Sequence, residues 1–359
     1  MLPDDFHLET RYHYTQLNNS EKKLYLFLVE LFLARKYRFL YPVFEESVPD
    51  DPEIRALPRF YFDHEEFVDS FKVYRAVLWD CPEFYYVCVS EMHFEENGVV
   101  SFLGAPGYTD EEIDHYNRLL DEILHRFDHI EDAFELELAV HDYILREFDY
   151  DDFDRTEAVV ERGEVFHVVS LLKTGRGACA AFASLMQFVL QRRGVPVIYL
   201  VSTTKDDEEG DLHAWLAVKI SGEYYHLDVT FNEGETQDPE MPQYTSFNIT
   251  DAEAEEAYWL PREEYPDLVC TATEANYYHR RGLYFKTVEE IERALSAFCV
   301  LNEGKGEACY FYFRTAPELE VETVKQAVCR TIPPSVDGYR STFYGDGDYY
   351  ALGIHYHTS

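Results

Sequence analysis

The chain has 359 residues, more than one ordinary core accommodates, so two or three domains are expected. Hydrophobic residues make up 46% and aromatics 16%, which argues against a disordered chain even with 28% charged residues. Asp and Glu number 69 against 31 Lys and Arg, a net charge of −38; such a surface repels phosphate and argues against nucleic acid or an anionic bilayer as partner.

The opening Met1-Leu2-Pro3-Asp4-Asp5-Phe6 has no basic segment followed by an apolar run, so no secretory signal is expected. Seven cysteines, at 81, 88, 179, 270, 299, 309 and 329, show no Cys-x-x-Cys spacing, which suggests reduced thiols and a cytoplasmic setting. Apolar positions Leu24, Phe27, Leu28, Leu31 and Phe32 predict a helix over residues 20–39, and a second helix is expected over 64–78. Tyr25–Leu33 is interrupted by Glu30 and followed by Arg35, Lys36 and Arg38, too short and too charged to insert into a membrane. Residues 83–91 and 99–103 read as strands around a turn at Glu95-Glu96-Asn97-Gly98, with the run Phe84-Tyr85-Tyr86-Val87 inside the first. Gly104-Ala105-Pro106-Gly107 marks a boundary, and residues 1–105 are expected to form a mainly helical module with a β ribbon.

The core is expected over residues 106–275. Thr109 and Glu112 form a capping-box pattern opening one long helix, or two, up to about Phe148, where the acidic Asp149-Tyr150-Asp151-Asp152 ends it. Cys179–Arg193 reads as an amphipathic helix with Phe182, Leu185, Met186, Val189 and Leu190 on one face, stopped by Gly194 and Pro196. Residues 197–202 follow as a strand, then a polar loop, Lys205-Asp206-Asp207-Glu208-Glu209-Gly210-Asp211, which reads either as an ordinary solvated loop or as a set of carboxylates near a cleft rim that would favour a basic peptide. Leu212–Ile220 and Glu223–Phe231 read as a hairpin around Ser221-Gly222. With Ile220 opposite Glu223, His213 faces Thr230, Trp215 faces Asp228, and Asp228 is a diagonal neighbour of His213 on the same face. His226 shares that face but falls opposite Ala217, so it ranks behind His213. Residues 276–359 read as a small α/β accessory domain. Its expected elements are a strand over 277–285, a helix capped by Thr287 and Glu290, a strand over 308–313, a helix over 321–329 and a hairpin around Gly345-Asp346-Gly347.

Cys179 sits at a predicted helix start behind Gly175 and Gly177, where the helix dipole and backbone N–H groups favour both a thiolate and an oxyanion. A cysteine there also fits a small buried residue at a helix start. With His213 and Asp228 it makes up the thiol, base and orienting acid of a cysteine-nucleophile enzyme. As metal ligands the same three lack a fourth at a recognisable spacing, and neither metal nor cofactor is expected.

The pattern Gly175-x-Gly177-x-Cys179 opening a helix, then His213-Ala214-Trp215, then Tyr224-Tyr225-His226-Leu227-Asp228-Val229-Thr230, resembles the transglutaminase-like superfamily, a branch of the papain-like cysteine-enzyme fold. The resemblance covers about residues 110–275. The flanking Trp79-Asp80-Cys81-Pro82-Glu83-Phe84 and Asn276–Tyr284 are similar to bacterial multi-domain members. It implies an α+β fold with a papain-like core, and the roles nucleophile for Cys179, base for His213 and orienting acid for Asp228. Trp215 is expected to touch substrate. The implied activity is acyl transfer on amides of a peptide or protein, whether as peptidase, deamidase or crosslinking enzyme; the alternative is a non-catalytic protein- or glycan-binding module that keeps the fold. Ala180-Ala181 after the cysteine, Leu212 before the histidine and Phe231-Asn232 after the acid segment depart from the family's frequent residues and leave substrate preference open.

Overall fold

The computed structural model describes residues 2–40, 50–61, 68–94, 99–104, 108–151, 166–205, 212–236, 244–303, 309–344 and 348–356. The turn expected at Glu95–Gly98, the boundary at 105–107, residue 152 of the acidic helix stop, the acidic loop over 206–211 and the turn at 345–347 lie outside the described residues. The chain divides into two compact units, one of Met1–Val201 and Leu212–Lys219, the other of Ser202–Asp211 and Ile220–Ser359.

In unit one, α1 (Asn19–Leu33) opens with a capping box in which Asn18 accepts from the Glu21 amide at 2.8 Å and the Glu21 carboxylate accepts from the Asn18 amide at 3.0 Å. It buries Leu24, Tyr25, Leu28, Val29 and Phe32. The helix ends earlier than its apolar rhythm suggests because Arg35 turns left-handed (φ 52°), releasing β1 (Arg38–Leu40) into a sheet. α2 (Ser70–Asp80) follows, begun by Asp69, which accepts from the Lys72 amide at 3.0 Å. The expected strand at Phe84–Val87 is instead a 3-10 turn over Pro82–Phe84, with β2 (Val87–Phe94) starting at its end. Phe84, Tyr85 and Tyr86 are all buried, so the run does not alternate as a half-buried strand must. β3 (Val99–Gly104) lies between β1 and β2, antiparallel to both.

Two helices then form rather than one. In α3 (Asp110–His125) Thr109 accepts from the Glu112 amide at 3.2 Å and Glu112 answers at 2.8 Å; Asp132 opens α4 (Ala133–Glu147). β4 (Asp149–Tyr150) pairs in parallel with β5 (Arg176–Gly177), with α5 (Val168–Thr174) between them in sequence. α6 (Cys179–Arg192) packs against α4 and α5 and fully buries Ala181, Phe182, Leu185, Met186, Val189 and Leu190. Each of those larger side chains contributes about 1.5–3 kcal/mol of burial, which holds the helix far more firmly than its propensity could. Left-handed Gly194 (φ 78°) ends it, and β6 (Val197–Thr203) and β7 (Leu212–Ile220) lie side by side in one sheet.

Side chains from early in the chain grip the far end of α6. Arg11, 1% exposed, donates from Nη1 to the Gln191 side chain at 2.6 Å and to the Asp80 carbonyl, and from Nη2 to Glu83 at 3.2 Å. Gln187 donates to the Trp79 carbonyl at 2.8 Å and Arg193 to Asp128 at 2.8 Å.

In unit two, Ser221 (φ 52°) and Gly222 (φ 97°) make a two-residue turn into β8 (Glu223–Leu227). The strand expected to reach Phe231 stops at Leu227; α7 (Val229–Thr236) follows, so Thr230 is helical and has no place in a strand register. Thr250 and Glu253 cap α8 (Asp251–Ala257) reciprocally. The strand expected over 277–285 is mostly a helical turn, Tyr277–Arg280: Asn276 accepts from the Tyr278 amide at 3.2 Å, and left-handed Gly282 (φ 67°) closes it, leaving β9 (Tyr284–Phe285). α9 (Val288–Asn302), β10 (Cys309–Thr315), α10 (Val321–Thr331), β11 (Val336–Tyr344) and β12 (Tyr349–Tyr356) complete the unit. The sheet order is β11-β12-β10-β9, with β10 parallel to β9 and antiparallel to β12. α9 and α10 pack together. Ile291, Leu295, Val324 and Val328 from the helices join Phe311, Phe313, Tyr350, Leu352 and Ile354 from the sheet in one core. The described residues mix helices with separate, largely antiparallel sheets, the α+β class expected from the sequence.

Candidate active site

The turn before α6 is shaped by two glycines with different duties. Gly175 takes the left-handed conformation (φ 74°) that ends α5. Gly177 is needed for space: a Cβ there would meet Leu171 Cδ2 at 2.8 Å and Ala181 Cβ at 2.9 Å. Extended Ala178 then occupies the N-cap without a side-chain cap, and Cys179 becomes the first residue of the helix, 6% exposed. Its sulfur thus lies at the positive end of a 14-residue helix. Tyr199 of β6 is close enough that the Cys179 charge acts on it; burial first, and that charge second, push its phenol up. Sequence reasoning passed over Tyr199 because a tyrosine on a predicted strand carries no signal of its own.

His213, on β7, is 8% exposed and stacks on Trp215 at 6.2 Å and 18°. Two residues apart on one strand, the rings share a face. Trp215, expected to touch substrate, is 1% exposed: its indole supports the imidazole from within unit one and offers no open face.

Asp228 belongs to unit two and is 2% exposed. It sits at the junction of β8 and α7, where Oδ1 accepts from the Thr230 amide at 2.9 Å and the Phe231 amide at 3.1 Å, capping the helix. Oδ2 accepts from the Tyr258 hydroxyl in a short hydrogen bond. Phe231 stacks on Tyr258 at 5.4 Å, and the Asp228 amide donates to the Ser246 carbonyl at 3.0 Å. Both carboxylate oxygens are therefore held in place. The sequence singled out Asp228 but not Tyr258, thirty positions on.

His226, the second-ranked histidine, is engaged elsewhere in unit two. Its Nε2 lies 2.8 Å from Asp251 Oδ1, and Arg262 Nη1 reaches Asp251 Oδ2 at 3.1 Å. Burial would raise the Asp251 carboxyl, but hydrogen bonds from His226, the Cys270 backbone and Arg262 outweigh it and hold it at about 2.

Residues 122–229 match the family model of the transglutaminase-like superfamily, a span that contains Cys179, His213 and Asp228. Residues 122–229 thus form a transglutaminase-like segment of the chain. Among solved structures, it is similar to a candidate cysteine protease from Cytophaga hutchinsonii (15% identity over 39% of this chain and 61% of that one, TM-score 0.26). It is also similar to a TGase (13% identity, 54% and 59%, TM-score 0.28) and to the periplasmic domain of TgpA from Pseudomonas aeruginosa (19% identity, 34% and 44%, TM-score 0.24). The chain spans less than two thirds of the length of each of these. A comparison with curated proteins yields no match. Among the described residues, no helix is long and apolar enough to cross a membrane.

Proposed function

We propose that this transglutaminase-like protein is a cysteine acyl-transfer enzyme acting on amide carbonyls of peptides or proteins, with Cys179 as nucleophile, His213 as base and Asp228 as the acid that orients the base. The observation that carries the reading is that one family match, 122–229, contains all three residue types in the order the chemistry needs, with the thiol on the first residue of a helix. Cys179 gives its proton to His213 and its sulfur adds to the carbonyl carbon. Collapse of the tetrahedral intermediate breaks the C–N bond, and the amine leaves with the proton that His213 returns. The thioester then passes to water, giving hydrolysis or deamidation, or to a second amine, giving a crosslink. Backbone N–H groups of the first turn of α6 are the natural donors to the oxyanion. Trp215 acts on the base, by fixing the imidazole plane, rather than on the substrate.

The test is a peptide nitrile or aldehyde probe, which needs an activated thiolate rather than a merely accessible thiol. That distinction matters because Cys329 is exposed and would take a simple alkylator, whereas Cys179 is buried. Labelling that disappears in Cys179→Ala and falls steeply in His213→Ala is expected. Labelling of neither the wild type nor any variant, with turnover of no peptide library member, would assign the chain to the non-catalytic class.

A further inference from the structure

Among the described residues, one group of ligating atoms comes together, away from Cys179: His226, Asp251 and Cys270, with one donor atom from each all within 4.8 Å of one another. We propose that these three side chains bind a single zinc ion in unit two, with a water as fourth ligand. The inference is independent of the acyl-transfer reading, since none of the three is assigned to that chemistry.

Imidazole, carboxylate and thiolate are all zinc ligands, and a thiolate–imidazole pair favours zinc over the hard cations calcium and magnesium. At zinc bond lengths of about 2.0–2.3 Å, tetrahedral ligand atoms stand about 3.3–3.8 Å apart, so a set already within 4.8 Å needs shifts of about 1 Å or less. The ligands come from three separate segments whose backbones are already tied together. His226, on β8, exchanges backbone hydrogen bonds with Ile249 at 2.9 Å in both directions, which places Asp251 two residues away; the Asp251 amide donates to the Cys270 carbonyl at 2.7 Å. The set is buried, at 2%, 9% and 0% exposure for His226, Asp251 and Cys270, so an ion there would be shielded from bulk water.

Arg262 supplies the outer layer. It holds the Asp251 oxygen that His226 does not, the arrangement that fixes a monodentate carboxylate ligand. Beside His226, Asp251 and Arg262 is a cavity of about 10 Å³, walled also by Tyr265 and Leu268 and close to the space of one water. Charge balances as well. Zn²⁺ enters, the Cys270 S–H bond breaks and its proton leaves to solvent, and the ion with one thiolate and one carboxylate is neutral. No redox partner is needed.

The full chain, stripped with a chelator, would be dialysed against Zn²⁺ and the bound metal counted by mass spectrometry, with affinity read by chelator competition. One zinc per chain is expected, with affinity falling more than roughly 100-fold in Cys270→Ser and in His226→Gln, about 10-fold in Arg262→Gln, and unchanged in Cys179→Ser. Should the ligand variants fail to fold, Co²⁺ bound to the wild type reads the site directly, because a thiolate ligand produces an intense charge-transfer band in the near ultraviolet. Absence of stoichiometric zinc, zinc retained with full affinity in both Cys270→Ser and His226→Gln, or a cobalt complex without the thiolate band would each overturn the proposal and leave the cluster as a hydrogen-bonded tie between β8 and α8.

Discussion

Replacing Tyr258 by Phe removes one hydroxyl and leaves almost everything else in place. The phenyl ring keeps its stack on Phe231 at 5.4 Å, so the change isolates the hydrogen bond to Asp228. Both partners are buried, Tyr258 at 1% and Asp228 at 2%, so water does not readily replace the lost donor. A hydrogen bond to a buried carboxylate contributes about 1.5–3 kcal/mol, and its loss removes the Tyr258 donor from Asp228 Oδ2 while Oδ1 keeps the Thr230 and Phe231 amides. The expected loss is therefore about 2 kcal/mol, read as a shift of the urea midpoint without a change in slope. If Asp228 orients the base, kcat should fall about 10-fold or more while KM changes little, because the interaction acts on geometry rather than on substrate contact. A stability change below about 0.5 kcal/mol would refute the account of how Asp228 is held.

Gly177→Ala should cost about 1–3 kcal/mol and slow probe labelling of Cys179, since the new methyl must displace Leu171 or Ala181; a melting curve and a labelling rate both equal to the wild type's would show that the turn yields freely. Arg11→Met should destabilise by about 3 kcal/mol because it leaves Glu83, 7% exposed, with only the longer Arg192 contact at 3.9 Å, and the double variant with Glu83→Leu should recover most of that; equal losses in single and double variants would contradict the ion-pair explanation. His13 is held neutral in the fold, first by burial and then by Arg75, with its pKa lowered from 6.5 to about 3. A base depressed in this way contributes stability that is complete above pH 6.5 and is lost as pH falls toward 3. Measured against His13→Gln, the wild type should thus lose about 1 kcal/mol per pH unit in that window, and parallel curves would exclude it.

What the sequence disclosed was what its short-range chemistry decides. Thr109 with Glu112 and Thr287 with Glu290 announce helix starts through contacts three residues apart, and both form as read. The start of α6 at Cys179 follows from Gly175, Gly177 and the apolar rhythm behind them. Asp228 shows where such reading stops. Asp-Val-Thr-Phe continues a strand by propensity, yet the carboxylate turns back to take the Thr230 and Phe231 amides, and a local cap overrides three β-formers. The same competition turned Asn276-Tyr277-Tyr278 into a helical turn. Tyr258 on Asp228, Asp251 on His226 and Arg11 on Gln191 lie 30, 25 and 180 positions apart, and no spacing rule links them. Those pairings come from packing, which one sequence does not display.

Arg11 limits how far the protein can be divided. Its guanidinium reaches Glu83 and Gln191 at once, so the last turns of the helix that begins with Cys179 are anchored to the first dozen residues. Residues 122–229, the span that matches the family, contain Cys179 but neither Arg11 nor Glu83, and a fragment cut to that span would lose the partners that hold Gln191 and Gln187 at the far end of α6. A minimal piece excised by homology should therefore aggregate or melt. Circular permutants and deletion series should locate the smallest soluble, probe-reactive version upstream of Arg11, well outside the borders that family comparison draws.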